Sequence, residues 1–450
     1  MQKQITYDIR EPIGSSTYPK PDRKEDIPLF LTRLNLPSEE KLRDKSTLYI
    51  HIPFCDQICS FCGFNKYKST DDKKEHYLKA LYEEIKRYAS TPYVQSLRFK
   101  AVYIGGGTPT SLSPNQLGDV LDWMQKYFNI DEGAEISCEG TPSSFSPEMI
   151  SALKAHNVTR VSAGIQTFNG ELRESHLNLP DGKKELLQYI DTIQNNFDNF
   201  NLDLIYNLPG QSDEIWFDDL STMLSTKVSH LTLYPYVLLD KTRFYSQTIK
   251  TNQYELPTLA RELDLFNKTL DFMDSTRMDN RYTIRDWAQA DKACQYVYLN
   301  AMSSPLLALG AGSFGYLAGC TYQNTRSLSL YGTQLQDEQS QPIEGVKICS
   351  EEDKMRRFMV MGLRLQALDM TKFEELFDCD WKSMFGDLVQ DLISSGYLAL
   401  TGQRLSFTRE GLIWANNIRS EFEGEEQNCS VGYDTNSIAS SGKSHYQEAS

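Results

Sequence analysis

The sequence predicts an α/β protein: an open, partial (β/α)6 barrel followed by a small winged-helix-like α+β module. Three observations carry that expectation. Six short apolar runs alternate with helix-period segments between residues 47 and 236. Glycines and carboxylates gather at the ends of those runs, where curved parallel sheets put their chemistry. From about residue 346 to 420 the pattern changes to three helices and a hairpin.

Residues 1–46 are polar, proline-spotted and weakly periodic, and read as a lead-in packing over the main domain. Strands are expected at Thr47 to Pro53, Phe99 to Ile104, Ala134 to Glu139, Arg160 to Gln166, Leu202 to Tyr206 and Leu231 to Tyr236. The segments between them read as helices. In EHYLKALYEEIKRYA, Leu78, Leu81, Tyr82 and Ile85 share one face. Such alternation makes a parallel sheet with right-handed crossovers, which sets the barrel and its extension at 47–345. In the module at 346–420, EEDKMRRFMVMGLRLQ, TKFEELF and DWKSMFGDLVQDLISSG are helical, Gly396 closes the third helix, and YLALTGQRLSFTREG is a hairpin. From 421 to 450 the chain is poor in apolar residues and is expected to be a disordered tail.

The 450 residues carry 46 Lys+Arg against 61 Asp+Glu, a formal net charge of −15. That balance opposes a general nucleic-acid or anionic-membrane partner. The module is no better suited to DNA, because Arg356, Arg357 and Arg364 are offset by acidic neighbours. No run of about 18 apolar residues is present, and MQKQITYDIREPIG lacks the apolar centre of a secretory signal. Nine cysteines, an odd number with three crowded between Cys55 and Cys62, fit a reducing cytoplasm with a metal or redox site better than a disulfide framework.

In HIPFCDQICSFCGF, Cys55, Cys59 and Cys62 follow a C-x3-C-x2-C spacing on a loop directly after a strand. A structural zinc site wants four ligands, usually in two pairs. Three thiolates on a short loop suit a [4Fe–4S] cluster with one iron left open, and an open iron can chelate the amino and carboxylate groups of S-adenosylmethionine (SAM). A zinc clip or three unrelated core cysteines is the plain alternative. The flanking Phe54, Phe61 and Phe64 favour the cluster as an apolar shell. Cys138, Cys294, Cys320, Cys349, Cys379 and Cys429 are scattered and read as small core or surface residues.

LYIHIPFCDQICSFCGF resembles the radical SAM superfamily, and in particular its coproporphyrinogen-dehydrogenase-like (HemN-like) branch. YIGGGTPTSL, AGIQTFN, LDLIYNLPGQ and ALGAGSFGYLAGCTYQN resemble successive blocks of that branch, in order, over residues 47 to 415. The resemblance implies the [4Fe–4S] cluster on Cys55, Cys59 and Cys62, SAM, and a low-potential electron donor of the flavodoxin or ferredoxin type. It implies that Gly105, Gly106 and Gly107, before Thr108, meet the SAM amino group; unaided, three glycines read equally as a tight turn. It implies that Glu139 accepts from ribose hydroxyls, where a strand-end carboxylate could otherwise be a helix cap. Gln166 and Asp203 match positions that hold SAM, Tyr49 the tyrosine beside it, and Gly310, Ala311 and Gly312 a small-residue turn over the site with Tyr322 to Asn324 beyond. His51 points inward with Tyr49 or is a satisfied core histidine.

Two departures stand out. Coproporphyrinogen dehydrogenases carry a further cysteine where this chain has Phe64. An arginine that binds a SAM carboxylate is replaced by Asn178, which bears on whether one or two SAM molecules bind. Within the branch, the haem chaperones show an aspartate where Gly63 stands. CGF after the cluster, Glu139 with Gly140, and YTIRDWA at 282 to 288 are most similar to the anaerobic haem-degrading methyltransferases, the anaerobilin synthase group. The implied activity is methylation and opening of a tetrapyrrole with iron release. The alternatives are natural-product methylation or cyclopropanation, coproporphyrinogen dehydrogenation, and haem chaperoning. Tyr234, Tyr236, Arg285 and Trp287 are substrate-wall candidates, since porphyrins stack on aromatics and carry propionates for arginine; ordinary barrel core is the other reading.

Overall fold

The computed structural model describes residues 4–11, 14, 16–240, 242–251, 254–278, 280–337 and 340–424. Six parallel strands follow one another in chain order: β1 Ser46–Ile52, β2 Phe99–Gly106, β3 Ile130–Gly140, β4 Arg160–Gln166, β5 Phe200–Tyr206 and β6 His230–Pro235. All six coincide with expected strands to within a few residues, because strands covered on both faces read as continuous apolar runs. The crossovers carry helices α1 Asp71–Ala89, α2 Pro114–Tyr127, α3 Pro147–Ala155, α4 Lys183–Gln194 and α5 Asp213–Leu224. Their starts are chemically marked. The Thr70 side chain caps α1 by accepting the Lys73 N–H, and Ser113 and Gln116 form a reciprocal capping box on α2. Each lays an apolar face on the sheet, as Tyr77, Leu78, Leu81, Ile85 and Tyr88 of α1 do.

The sheet extends beyond the barrel at both edges. After α6 Leu259–Asp274 come β7 Asn280–Arg281 and β8 Asp286–Ala288, and β8 runs antiparallel to β6. After α7 Gln295–Ala301, strand β9 Leu306–Leu309 returns to the opposite edge and pairs parallel with β1. Strands β10 Phe314–Leu317, β11 Cys320–Asn324 and β12 Ile343–Ile348 then continue as an antiparallel meander, giving twelve strands in one open sheet. This second edge is absent from the sequence reading, in which the segment is only a glycine-rich block.

Residues 351–407 fold as α8 Glu351–Gly362, β13 Ala367–Asp369, α9 Thr371–Phe377, α10 Lys382–Ser394, β14 Leu398–Thr401 and β15 Arg404–Phe407, the last two closing a three-stranded antiparallel sheet with β13. Gly396 does end α10, at φ +84°. The lead-in packs largely on this module. Ile5 donates its N–H to Ser395 Oγ at 2.9 Å and Glu11 its N–H to Asn417 Oδ1 at 2.9 Å, while Arg23 bridges to Val346 on β12. The expected disordered tail begins too early at 421. Phe422 is fully buried, edge-on to Phe385, and residues 425–450, with Cys429, lie outside the described residues. Among the described residues no helix is long and apolar enough to cross a membrane.

Candidate functional site

The strand alternation aims the site. On β1, Leu48, Ile50 and Ile52 are fully buried in the core, which leaves Tyr49 and His51 on the other face. Register sets Tyr49 beside Tyr103 on β2. The rings of Tyr49 and Tyr103 lie 6.3 Å apart, and Tyr296 from α7 stacks on Tyr103 at 4.8 Å and on Tyr49 at 6.1 Å. His51 Nε2 is 3.0 Å from the Asn65 carbonyl, which can only accept, so Nε2 carries the hydrogen and Nδ1 accepts from the Tyr49 hydroxyl at 3.0 Å. Burial pushes His51 down to about 4, so it is a neutral bridge between β1 and the cysteine loop.

Gly105 and Gly106 end β2 as strand residues, so the strand runs two residues beyond the expected end at Ile104. A side chain at Gly105 would come 2.7 Å from Glu139 Oε2, one at Gly106 2.8 Å from the His51 ring, and one at Gly107 3.0 Å from Cys55 Sγ. Gly106 also has φ +122°, a conformation open to glycine. Thr108 donates its N–H to the Phe54 carbonyl at 2.7 Å, and its hydroxyl lies 3.5 Å from Cys55 Sγ. Glu139 accepts from the Tyr103 hydroxyl at 2.6 Å and from the Gly106 N–H at 3.1 Å, and burial holds its carboxyl above the usual range.

Asp203, on β5, accepts from Asn201 Nδ2 at 2.7 Å. Burial raises it to about 7, and Glu139 adds to the rise. Gln166 closes β4 at φ +69°, where the register with β5 shifts, so its backbone is strained at the mouth. Gly310 and Ala311 are tied down from behind. The Gly310 N–H donates to Glu84 Oε2 at 2.7 Å and the Ala311 N–H to the Tyr77 hydroxyl at 3.2 Å, while that hydroxyl donates to the His51 carbonyl at 2.5 Å.

The three thiols are free and share one loop, Cys55 buried and Cys59 and Cys62 partly exposed. Burial pushes the Cys59 thiol up to about 12 and raises Cys55 as well. A cavity of about 430 Å³ opens beside Cys59 and Cys62, lined also by Ile58, Asn178 and Arg243. Among the described residues no group of three or more His, Cys, Asp or Glu side chains, the three thiols included, is arranged to hold a metal ion. The loop fits a cluster by its ligand chemistry, three free thiols close in sequence, and by the room beside them. Asn178 lines that cavity and pins the loop, donating Nδ2 to the Ile58 carbonyl at 3.0 Å and accepting from Gln57 Nε2 at its own carbonyl. Lys66 and the buried Arg173, which donates Nε to the Asp181 carbonyl at 2.7 Å, are the cations acting on Cys59.

Other expectations need correction. Phe54 is fully buried, but Phe64 is 52% exposed, so the expected aromatic shell is open on that side, where Lys66 donates to the Cys62 carbonyl at 2.6 Å. Of the wall candidates, Tyr234 and Arg285 face the interior, the guanidinium 5.1 Å above the ring. Tyr236 is in a separate cluster against Phe244, and Trp287, 2% exposed, is main core. Trp287 pairs in register with Leu231 on the face turned away from Asp203, whereas Tyr236, one residue past β6, sits in a cluster that Tyr234 also packs against. Tyr103, Tyr296 and Glu84 are missing from the sequence reading. Tyr103 was legible as the residue two before Gly105 on the same face, whereas Tyr296 and Glu84 reach the site only through the fold.

A profile of the radical SAM superfamily matches residues 49–221 and one of the HemN C-terminal domain matches 349–414, together just over half the chain. The chain belongs to the radical SAM superfamily and to its HemN-like branch, whose cofactors are a [4Fe–4S] cluster and SAM. It is 28% identical to the heme chaperone HemW of Lactococcus lactis, over 85% of this chain and 98% of that one. It is 26% identical to the anaerobilin synthase of Escherichia coli O157:H7, over 83% of each. The fold is that of coproporphyrinogen III oxidase (HemN) from Escherichia coli, TM-score 0.78 at 24% identity, covering 93% of this chain and 99% of that one.

Proposed function

We propose that this chain is a radical SAM enzyme that methylates and opens a tetrapyrrole, degrading haem to a linear product with release of iron. What supports the reading is one juxtaposition: Phe61 of the cysteine loop and Tyr234 pack against one small cluster, and Arg285 lies over Tyr234, an aromatic face and a cation suited to a planar acid. Cys55, Cys59 and Cys62 hold the cluster. Gly105 and Gly106 offer main-chain groups to SAM, Glu139 and Asp203 accept its hydroxyl or ammonium hydrogens, and Tyr49, Thr108, Gln166, Gly310 and Ala311 complete its walls. Cluster and SAM, when bound, supply a carbon-centred radical by reductive cleavage of a carbon–sulfur bond. The chain's own part is positional: the Tyr49–Tyr103–Tyr296 stack stiffens one wall, and buried carboxylates orient the cosubstrate away from water.

A second reading, a haem-binding chaperone that keeps the cluster without turnover, is favoured by the HemW relatives. One experiment separates the two. Anaerobically reconstituted protein is given SAM, a low-potential reductant and haem, and 5′-deoxyadenosine, S-adenosylhomocysteine and the haem band are followed together. Both products with loss of the band are expected. Haem binding without SAM consumption replaces the enzyme by the chaperone, and SAM cleavage with haem intact moves the substrate elsewhere.

A further inference from the structure

We propose that Arg285 and Arg364 form a carboxylate site at the barrel mouth, built jointly by the barrel and the C-terminal module, that takes an acidic arm of the substrate. In naming that arm a propionate, the inference rests on the tetrapyrrole reading above.

The two residues are brought together by a short antiparallel contact between the barrel extension and the segment after α8. Thr283 bridges Leu365, the Ile284 N–H donates to the Arg364 carbonyl at 3.0 Å, and the Gln366 N–H donates to the Tyr282 carbonyl at 3.0 Å. Arg285 rests on the ring of Tyr234, which the alternation on β6 puts on the same inner face as Thr232, the register partner of Asp203. Both guanidinium groups are only partly exposed, yet among the described residues neither has an ion pair or a side-chain hydrogen bond. The neighbouring buried Asp286 acts on Arg364 through its charge but forms an ion pair with neither; its carboxylate accepts from the Thr283 hydroxyl at 2.6 Å. A third cation stands behind, Arg419, engaged with the Val360 carbonyl at 2.8 Å and Asn416 Oδ1 at 3.0 Å. Burial and the nearby Arg364 and Arg285 push Arg419 down to about 9.

Two like charges near one another, half removed from water and with no carboxylate in ion-pair contact, are unfavourable as they stand. They are in a chain of net charge −15, where acidic partners are plentiful. An incoming carboxylate relieves the repulsion and gains forked charge-assisted hydrogen bonds from both groups. The stacked Tyr234 sets the plane in which an aromatic macrocycle would lie beside them.

The test is equilibrium titration of the full-length protein with a free-base dicarboxylate porphyrin and with its dimethyl ester, followed by fluorescence. A second pair of probes, 1-pyrenebutyrate and 1-pyrenebutanol, is independent of tetrapyrrole shape. Arg285→Gln and Arg364→Gln are each expected to weaken both carboxylates about tenfold or more and to leave ester and alcohol unchanged. Arg285→Lys and Arg364→Lys should fall between, with melting temperatures confirming that all variants fold. If pyrenebutyrate binds and is lost in the variants while neither porphyrin binds, the carboxylate site stands and the tetrapyrrole reading falls. If the variants hold both carboxylates as tightly as the parent, or if no probe binds the parent, the site is overturned. Displacement of pyrenebutyrate by SAM and not by the porphyrin acid would assign the pair to the cosubstrate carboxylate, and the substrate assignment would then be wrong.

Discussion

Three carboxylates in the barrel differ in task because they differ in company. Glu139 is satisfied by a hydroxyl and a backbone N–H, Glu84 by the Gly310 N–H, the Tyr331 hydroxyl at 2.5 Å and Asn324 Nδ2 at 2.6 Å, and Asp203 by Asn201. Asp203 is the one whose neighbours include two further acids, Glu139 and Asp286. Its carboxyl stands at about 7 when folded against an ordinary 3.8, so folding favours the protonated form. The stability it contributes is full below about pH 4 and is lost as pH rises through 7. Melts of the cofactor-free protein should show Asp203→Asn gaining on the parent across that window, by about 2 kcal/mol at its top; a constant difference would contradict the assignment. At the loop, Cys55→Ala, Cys59→Ala and Cys62→Ala should each lose the brown iron–sulfur absorbance and lower SAM cleavage more than about a hundredfold. Full cleavage in any of them would remove that residue from the ligand set.

At the scale of elements, α7 depends on a residue far away in sequence. Glu135 on β3 accepts from the Gln295 N–H at 3.1 Å, the Tyr296 N–H at 3.4 Å and the Cys294 thiol at 3.3 Å, capping the helix from outside. Cys294 itself makes no side-chain cap. Glu135→Ala should therefore cost about 1–2 kcal/mol and loosen Tyr296 from its stack on Tyr103, seen as a lower melting temperature and altered tyrosine fluorescence. A similar tie binds α1 to the Gly310 turn through Glu84. Glu84→Ala strands three buried donors and should cost about 3 kcal/mol, measured by denaturant unfolding.

For the whole molecule, barrel, module and lead-in behave as one packed unit. Arg10 donates Nε to the Ile413 carbonyl at 2.6 Å and pairs with Glu262 of α6, both side chains nearly or wholly buried. Arg10→Ala should destabilise the protein by about 3 kcal/mol, since it leaves a buried carboxylate without its cation. A melting temperature equal to the parent's would mean that the lead-in is peripheral to stability.

What the sequence alone determined is local or periodic. The spacing of Cys55, Cys59 and Cys62, the six apolar runs and Gly396 after α10 were legible because each depends on near neighbours or on a two- or 3.6-residue period. The same period put Tyr49 inward, but Asp203, expected at a strand end, is the middle residue of β5. Tertiary structure alone decided which inward residues meet. β9 reaches β1 across more than two hundred residues, Glu84 finds Gly310, Glu135 finds α7, and Arg285 finds Arg364. It also brought Asn178 onto the cysteine loop and turned Phe64 to solvent. Periodicity states which face a side chain occupies, whereas its partner depends on register and crossover, which arise only when the whole sheet has closed around its helices.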